Sequence, residues 1–172
     1  IPLLWTMVEI AAALGAAMAW FKFDDICLVA ALLLGWQLLL LATFDALTGY
    51  LPRVLNLGLG LTGLIVSATV RGEIGSALLG VAIAGGILTG VAWGYRWLRG
   101  CPGLGLGDIF LFAAAGAWLG PERLAPAMLV AVMVALAQVA ILAAKGNFHR
   151  QSRIRFAPAL GVGVWISYLY VT

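Results

Sequence analysis

Apolar runs of about 20 residues, the length a helix needs to cross a bilayer, follow one another along the whole chain with only short polar connections between them. In hydrocarbon every backbone N–H and C=O must find its partner internally, so such runs fold as helices or as strands of a closed barrel. These are too long and too continuous for barrel strands of about 9–11 alternating residues. Hydrophobic residues make up 64% of the chain and charged residues 10%, against about 25% charged in soluble domains. The expected class is all-α, a polytopic membrane helical bundle of about seven transmembrane helices forming one transmembrane domain over residues 1–172. No linker, low-complexity stretch or soluble domain fits between the runs.

The predicted spans are Leu3–Trp20, Ile26–Phe44, Val54–Val70, Ile74–Trp97, Asp108–Leu119, Leu124–Ala144 and Phe156–Val171. The first has neither a basic leader nor a cleavage site, so it is expected to span rather than to act as a signal peptide. Counting cations in the loops sets the orientation. Arg53, Arg96, Arg99, Lys145, Arg150, Arg153 and Arg155 fall on one side, and Lys22, Arg71 and Arg123 on the other. The richer side is expected to be cytoplasmic. It also carries Asp45 and Asp108, whereas Asp24, Asp25, Glu73 and Glu122 fall on the opposite side.

The fifth span covers only about 18 Å at roughly 1.5 Å per residue. It must recruit residues from the glycine run Gly103–Gly107 or leave Asp108 below the headgroups. Irregular backbone at that depth survives only inside protein or beside water, which predicts a wet notch at the Asp108 end. Gly86, Gly90 and Gly94 on the fourth span, with Gly116 and Gly120 on the fifth, suggest close helix packing. Trp5, Trp20, Trp93, Trp97, Trp118 and Trp165 suggest an interfacial belt. Gln37 is expected to bond between helices.

Seven acids in a chain this apolar are costly near hydrocarbon, roughly 2.5–3.5 kcal/mol each at a helix centre. Two of them sharing one membrane edge, Asp45 and Asp108, form a candidate catalytic pair. Two carboxylates in one site resist double ionisation, so one can act as base toward water while the other donates a proton to a carbonyl. The plain alternatives are a helix cap for Asp108 and a solvated loop position for Asp45. The glycines before Asp108 let a substrate backbone approach without side-chain obstruction. Glu9, an acid within the first span, either lines the same cavity or bonds to a neighbouring helix. No metal site is expected.

Gly105-Leu106-Gly107-Asp108 is a GxGD motif, and it runs on into Ala113-Ala114-Ala115-Gly116-Ala117-Trp118-Leu119-Gly120. With Asp45, Thr48 and then Leu51-Pro52, it resembles the type IV prepilin peptidases, membrane aspartic proteases of type IV pilus and type II secretion systems. Ile1-Pro2-Leu3-Leu4-Trp5 and Phe156-Ala157-Pro158 are similar to elements near the two ends of that family's core, so the resemblance spans nearly the whole chain.

The resemblance implies an aspartic endopeptidase that removes the leader of prepilins and pseudopilins at the cytoplasmic face of the bacterial inner membrane. Asp45 and Asp108 would be its catalytic pair, with Gly105, Gly107, Thr48, Pro52 and Glu9 shaping the site or binding substrate. Its partners would be the substrate helix with its leader and the lipid bilayer, with no nucleic acid. Many relatives also methylate, using S-adenosylmethionine and an upstream region with paired CxxC motifs. No CxxC occurs here, so no cofactor is expected in this segment, and S-adenosylmethionine and zinc would enter only with an upstream methyltransferase region. Two departures stand out: Phe110 where many members have lysine, and Ala157 where glycine is usual. From a different class, the same carboxylates would suit a small transporter or channel relaying protons or cations. A third option is an inactive scaffold in a secretion assembly.

Overall fold

A computed structural model describes residues 2–22, 25–100, 105–144 and 156–170. The basic connection at 145–155, with His149, and the start of the glycine run at 101–104 lie outside the described residues, as do Phe23 and Asp24. Seven α-helices account for nearly all of what is described: α1 Pro2–Lys22, α2 Asp25–Thr48, α3 Arg53–Val66, α4 Ile74–Arg99, α5 Leu106–Leu119, α6 Leu124–Ala144 and α7 Ala157–Tyr170. A π-helical turn, Ser67–Arg71, prolongs α3. No strand occurs among the described residues. Four helical stretches, Ile26–Thr48, Arg53–Arg71, Ile74–Arg99 and Leu124–Ile141, are long and apolar enough to cross a membrane. The helices α5 and α7 are apolar but shorter.

The short α5 is the core of the bundle. Its residues Leu111, Phe112 and Ala114 through Leu119 are all buried, and it packs chiefly against α4 and α3 and also touches α7. A helix hidden on all sides reads as uniformly apolar, which is why its sequence shows no stripe. The tightest seam lies between α4 and α5. There a Cβ on Gly80 would collide with the Gly116 carbonyl oxygen, and one on Gly116 with the Gly80 carbonyl. Gly116 therefore packs as its spacing predicted, but the Gly86–Gly90–Gly94 stripe does not, since added methyls there would meet nothing within 4 Å. The glycines that meet α5 are Gly80 and, more loosely, Gly85 against Ala113; the packed face of α4 runs through Ala77, Gly80, Ala84 and Leu88, and Gly86, Gly90 and Gly94 fall off that stripe.

The tryptophans divide in the same way. Trp20, Trp93 and Trp97 are exposed, as an interfacial belt requires, whereas Trp118 is fully buried and its indole N–H donates to the Leu59 carbonyl at 2.8 Å. Gly63 on α3 leaves the room for it, since a Cβ there would come within 2.6 Å of the ring. Trp165 is half-buried against Gly15 and Gly35. Gln37 does bond between helices, accepting from the Thr62 hydroxyl at 3.0 Å.

Among the described residues, four loop cations sort to the two ends of the bundle as the alternating topology requires. Lys22 lies 5.1 Å over the Tyr170 ring and Arg71 lies 5.1 Å over Tyr168, and Arg123 feels the charge of Arg71. These three share the end where α7 finishes. Arg53 stands at the other end, its guanidinium 6.0 Å over the Phe110 ring.

Candidate aspartate site

The core face of α2 reads Ala31, Leu34, Leu38, Leu41 and then Asp45, each buried and spaced three or four residues apart. That spacing is the apolar stripe of a packed helix, and its last position is an acid. Asp45 is only 7% exposed, so the solvated-loop alternative is excluded by its place on the helix. One turn later α2 ends in a left-handed glycine, Gly49 at φ 65°, whose N–H donates to the Asp45 carbonyl at 2.9 Å. The Thr48 hydroxyl donates to the Phe44 carbonyl at 2.8 Å and accepts from the Tyr50 N–H at 3.2 Å. Thr48 thus shapes the exit of the helix that carries Asp45.

Pro52 caps α3 at φ −61°, where its fixed backbone suits a helix start and its missing N–H costs nothing. The glycine run supplies the other half of the site. α5 starts at Leu106 with Gly105 as its extended N-cap, so the helix has taken two residues from the run and Asp108 falls in its first turn. Its carboxylate accepts from the Gly105 N–H, the reach-back seen in capping boxes. The capping alternative is therefore real, and the like charge that bears on Asp108 is that of Asp45. The two acids, 63 positions apart in sequence, lie where the end of α2 and its connection to α3 meet the start of α5.

Gly107 is fixed by contact. A Cβ there would lie 2.9 Å from the Leu51 Cβ, so the glycine turn is pressed against the α2–α3 connection. Asn56, buried on the first turn of α3, donates its amide to the Gly107 carbonyl at 3.4 Å. Sequence reasoning passed over Asn56; its signal was a lone amide in an apolar helix. Glu9 lies exposed on α1, a helix that packs mainly on α2. A polar cavity also lies at the other end of α5.

The type IV leader peptidase family matches this chain over residues 32–143, a stretch that contains Asp45, the glycine run and Asp108. The chain belongs to the type IV leader peptidase family. The relatives are alike in name. The prepilin leader peptidase/N-methyltransferase of Aeromonas hydrophila is 32% identical over 172 residues, covering 99% of this chain and 57% of its own length. Its namesake in Pseudomonas aeruginosa is 32% identical over 168 residues, covering 96% of this chain and 58% of its own. That of Burkholderia pseudomallei strain 1026b is 34% identical over 131 residues, 73% of this chain and 41% of its own. The chain spans about half the length of these leader peptidase relatives. No solved structure matches.

Proposed function

We propose that this chain is a membrane aspartic endopeptidase that removes the leader of prepilins and pseudopilins, with Asp45 and Asp108 acting as a general acid–base pair on one water. The observation that carries the reading is that the turn before Asp108 packs on the α2–α3 connection, Gly107 against Leu51, close to where Asp45 ends the buried stripe of α2. Like charges in a shared, partly dry site give up their protons as a unit. One carboxylate then stays ionised to take a proton from water while the other protonates the scissile carbonyl, assistance worth about 10²–10⁴-fold.

The substrate class is taken from the family and from the names of the relatives. A substrate that is itself a membrane helix with a polar leader would present its scissile bond at the edge of the bilayer. The ends of α2 and α5, beside Gly105 and Gly107, suit an extended backbone there. By the count of loop cations that edge faces the cytoplasm, and the family's prepilin substrates point to the bacterial inner membrane. Hydrolysis of this kind consumes water alone. These residues are proposed to act without a cofactor, and S-adenosylmethionine and zinc would belong only to a methyltransferase region of a longer chain.

The test is purified chain in lipid nanodiscs with a prepilin-like substrate. Leader removal that vanishes in both Asp45→Ala and Asp108→Ala, with thermal unfolding unchanged, supports the reading. Full cleavage in either folded variant refutes it, and proton or cation flux lost on the same substitutions would mark a transporter instead.

A further inference from the structure

At the end of the bundle opposite Asp108, the turn after α3 and the turn after α5 enclose a cavity of about 200 Å³. Its polar wall is Ser67, Arg71, Glu73, Ser76, Glu122 and Arg123. At about 30 Å³ per water, this is room for roughly six or seven waters, well below the roughly 300–1,000 Å³ of sites for drug-sized ligands.

The two cations are not equivalent. Arg71 is held in place: it donates to the Trp118 carbonyl at 2.6 Å and lies over the Tyr168 ring at 5.1 Å. Ser67 is held too, its hydroxyl donating to the Ala117 carbonyl at 2.8 Å. Arg123 is not, since its Nη1 is buried and meets no hydrogen-bond acceptor among the described residues. Burial, and then the charge of Arg71, hold the Arg123 pKa below its ordinary value. Two guanidiniums facing one partly dry cavity favour an anion between them. A phosphate suits them, because the guanidinium fork matches its oxygens. Glu73 and Glu122 are exposed at the same cavity. An anion alone would leave them beside a new negative charge, whereas an ammonium attached to that anion would offset it and offer its three N–H donors to the two carboxylates.

The position of the cavity points to a membrane ligand. Arg71 closes the π-helical end of the α3 stretch, Ser76 lies in the first turn of α4, and Arg123 immediately precedes α6. The cavity is therefore level with the ends of the longer helices, the depth at which a bundle of membrane-spanning helices meets the lipid headgroups.

We propose that this cavity binds a compact zwitterion bearing a phosphate and a primary ammonium, the headgroup chemistry of phosphatidylethanolamine, with the phosphate on Arg71 and Arg123 and the ammonium on Glu73 and Glu122. The site is separate from the aspartate pair, and its occupancy does not depend on peptide cleavage.

The experiment is native mass spectrometry of the full chain released from nanodiscs of phosphatidylethanolamine, phosphatidylglycerol and phosphatidylcholine in equal parts. A parallel titration uses soluble O-phosphoethanolamine and reads thermal unfolding. Phosphatidylethanolamine should be retained over the other two. Arg123→Gln should cut its retention by roughly tenfold or more, the ordinary worth of a charge-assisted hydrogen bond. Glu122→Gln together with Glu73→Gln should erase the preference over phosphatidylglycerol while leaving phosphate binding. If Arg123→Gln does not fold, Arg123→Lys and the glutamate pair carry the test. Stabilisation by O-phosphoethanolamine without lipid retention would assign the same chemistry to a soluble source. Equal retention of all three lipids with no effect of the soluble compound would overturn the proposal, as would a folded Arg123→Gln that keeps full retention.

Discussion

The side-chain amide of Asn56 reaches the backbone carbonyl of Gly107 at 3.4 Å, tying the first turn of α3 to the residue that precedes Asp108. The Asn56 Oδ1 is buried with no donor among the described residues. Gly107 in turn rests on Leu51. The exit of α2, the start of α3 and the start of α5 therefore lock together around the two aspartates.

Asn56→Ala removes one long hydrogen bond, which costs about 1 kcal/mol or less of stability. A displaced Asp108 costs more in rate, since a misplacement of about 1 Å can lower a rate by about 10²-fold. Initial rates of leader cleavage should fall by at least tenfold while the unfolding temperature moves little. A small rate loss in step with a large stability loss would make Asn56 a packing residue only.

Gly107→Ala puts a methyl against Leu51 at a distance that real side chains do not tolerate. The turn must shift, and Asp108 with it. Gly105 is less constrained: its φ of −72° is ordinary for any residue, and the nearest atom to an added methyl is the Asp108 Oδ2 at 3.1 Å. Cleavage assays on the two alanine variants should show a loss of roughly 10²-fold at Gly107 and a smaller one at Gly105.

Gly80→Ala drives a methyl into the Gly116 carbonyl across the α4–α5 seam. Forced backbone separation of this kind costs about 1–3 kcal/mol or more. Gly90→Ala, on the open face of the same helix, should stay within about 1 kcal/mol of the parent and favour the helix slightly. Thermal unfolding in detergent compares them, and equal melting temperatures would contradict the seam.

Trp118→Phe keeps most of the ring volume but removes the indole N–H that donates to the Leu59 carbonyl at 2.8 Å, leaving that carbonyl with the Thr62 hydroxyl at 3.0 Å. Loss of one such hydrogen bond costs about 0.5–1.5 kcal/mol. The same substitution also weakens the edge contact with Tyr168, whose ring centroid lies 6.1 Å away. Unfolding should occur at a clearly lower temperature, with activity per folded molecule little changed.

Much of this architecture is legible in the sequence because the bilayer allows so few solutions. Run length and loop charge give the seven helices and place Lys22, Arg71 and Arg123 at one end. What stays hidden depends on which helix is central. Gly80 and Gly116 meet because Gly80 lies on the packed α4 face with Ala77, Ala84 and Leu88, and glycine spacing alone does not distinguish that face from the open stripe Gly86–Gly90–Gly94. Trp118 looks interfacial by position and is buried because α5 is enclosed. Asn56 escapes notice since a single amide carries no period. Asp45 is legible twice over, as an acid near hydrocarbon and as the last member of a buried stripe, and only folding shows the second.

The most direct test of the paired carboxylates is a double-mutant cycle on leader cleavage, with Asp45→Asn, Asp108→Asn and the combination, each checked for folding. Residues acting as one unit are strongly non-additive. The account predicts that each single variant loses about 10²–10⁴-fold or more and that the double variant is no worse than the poorer single. Losses that multiply, or a folded single variant that cleaves at the parent rate, would contradict it.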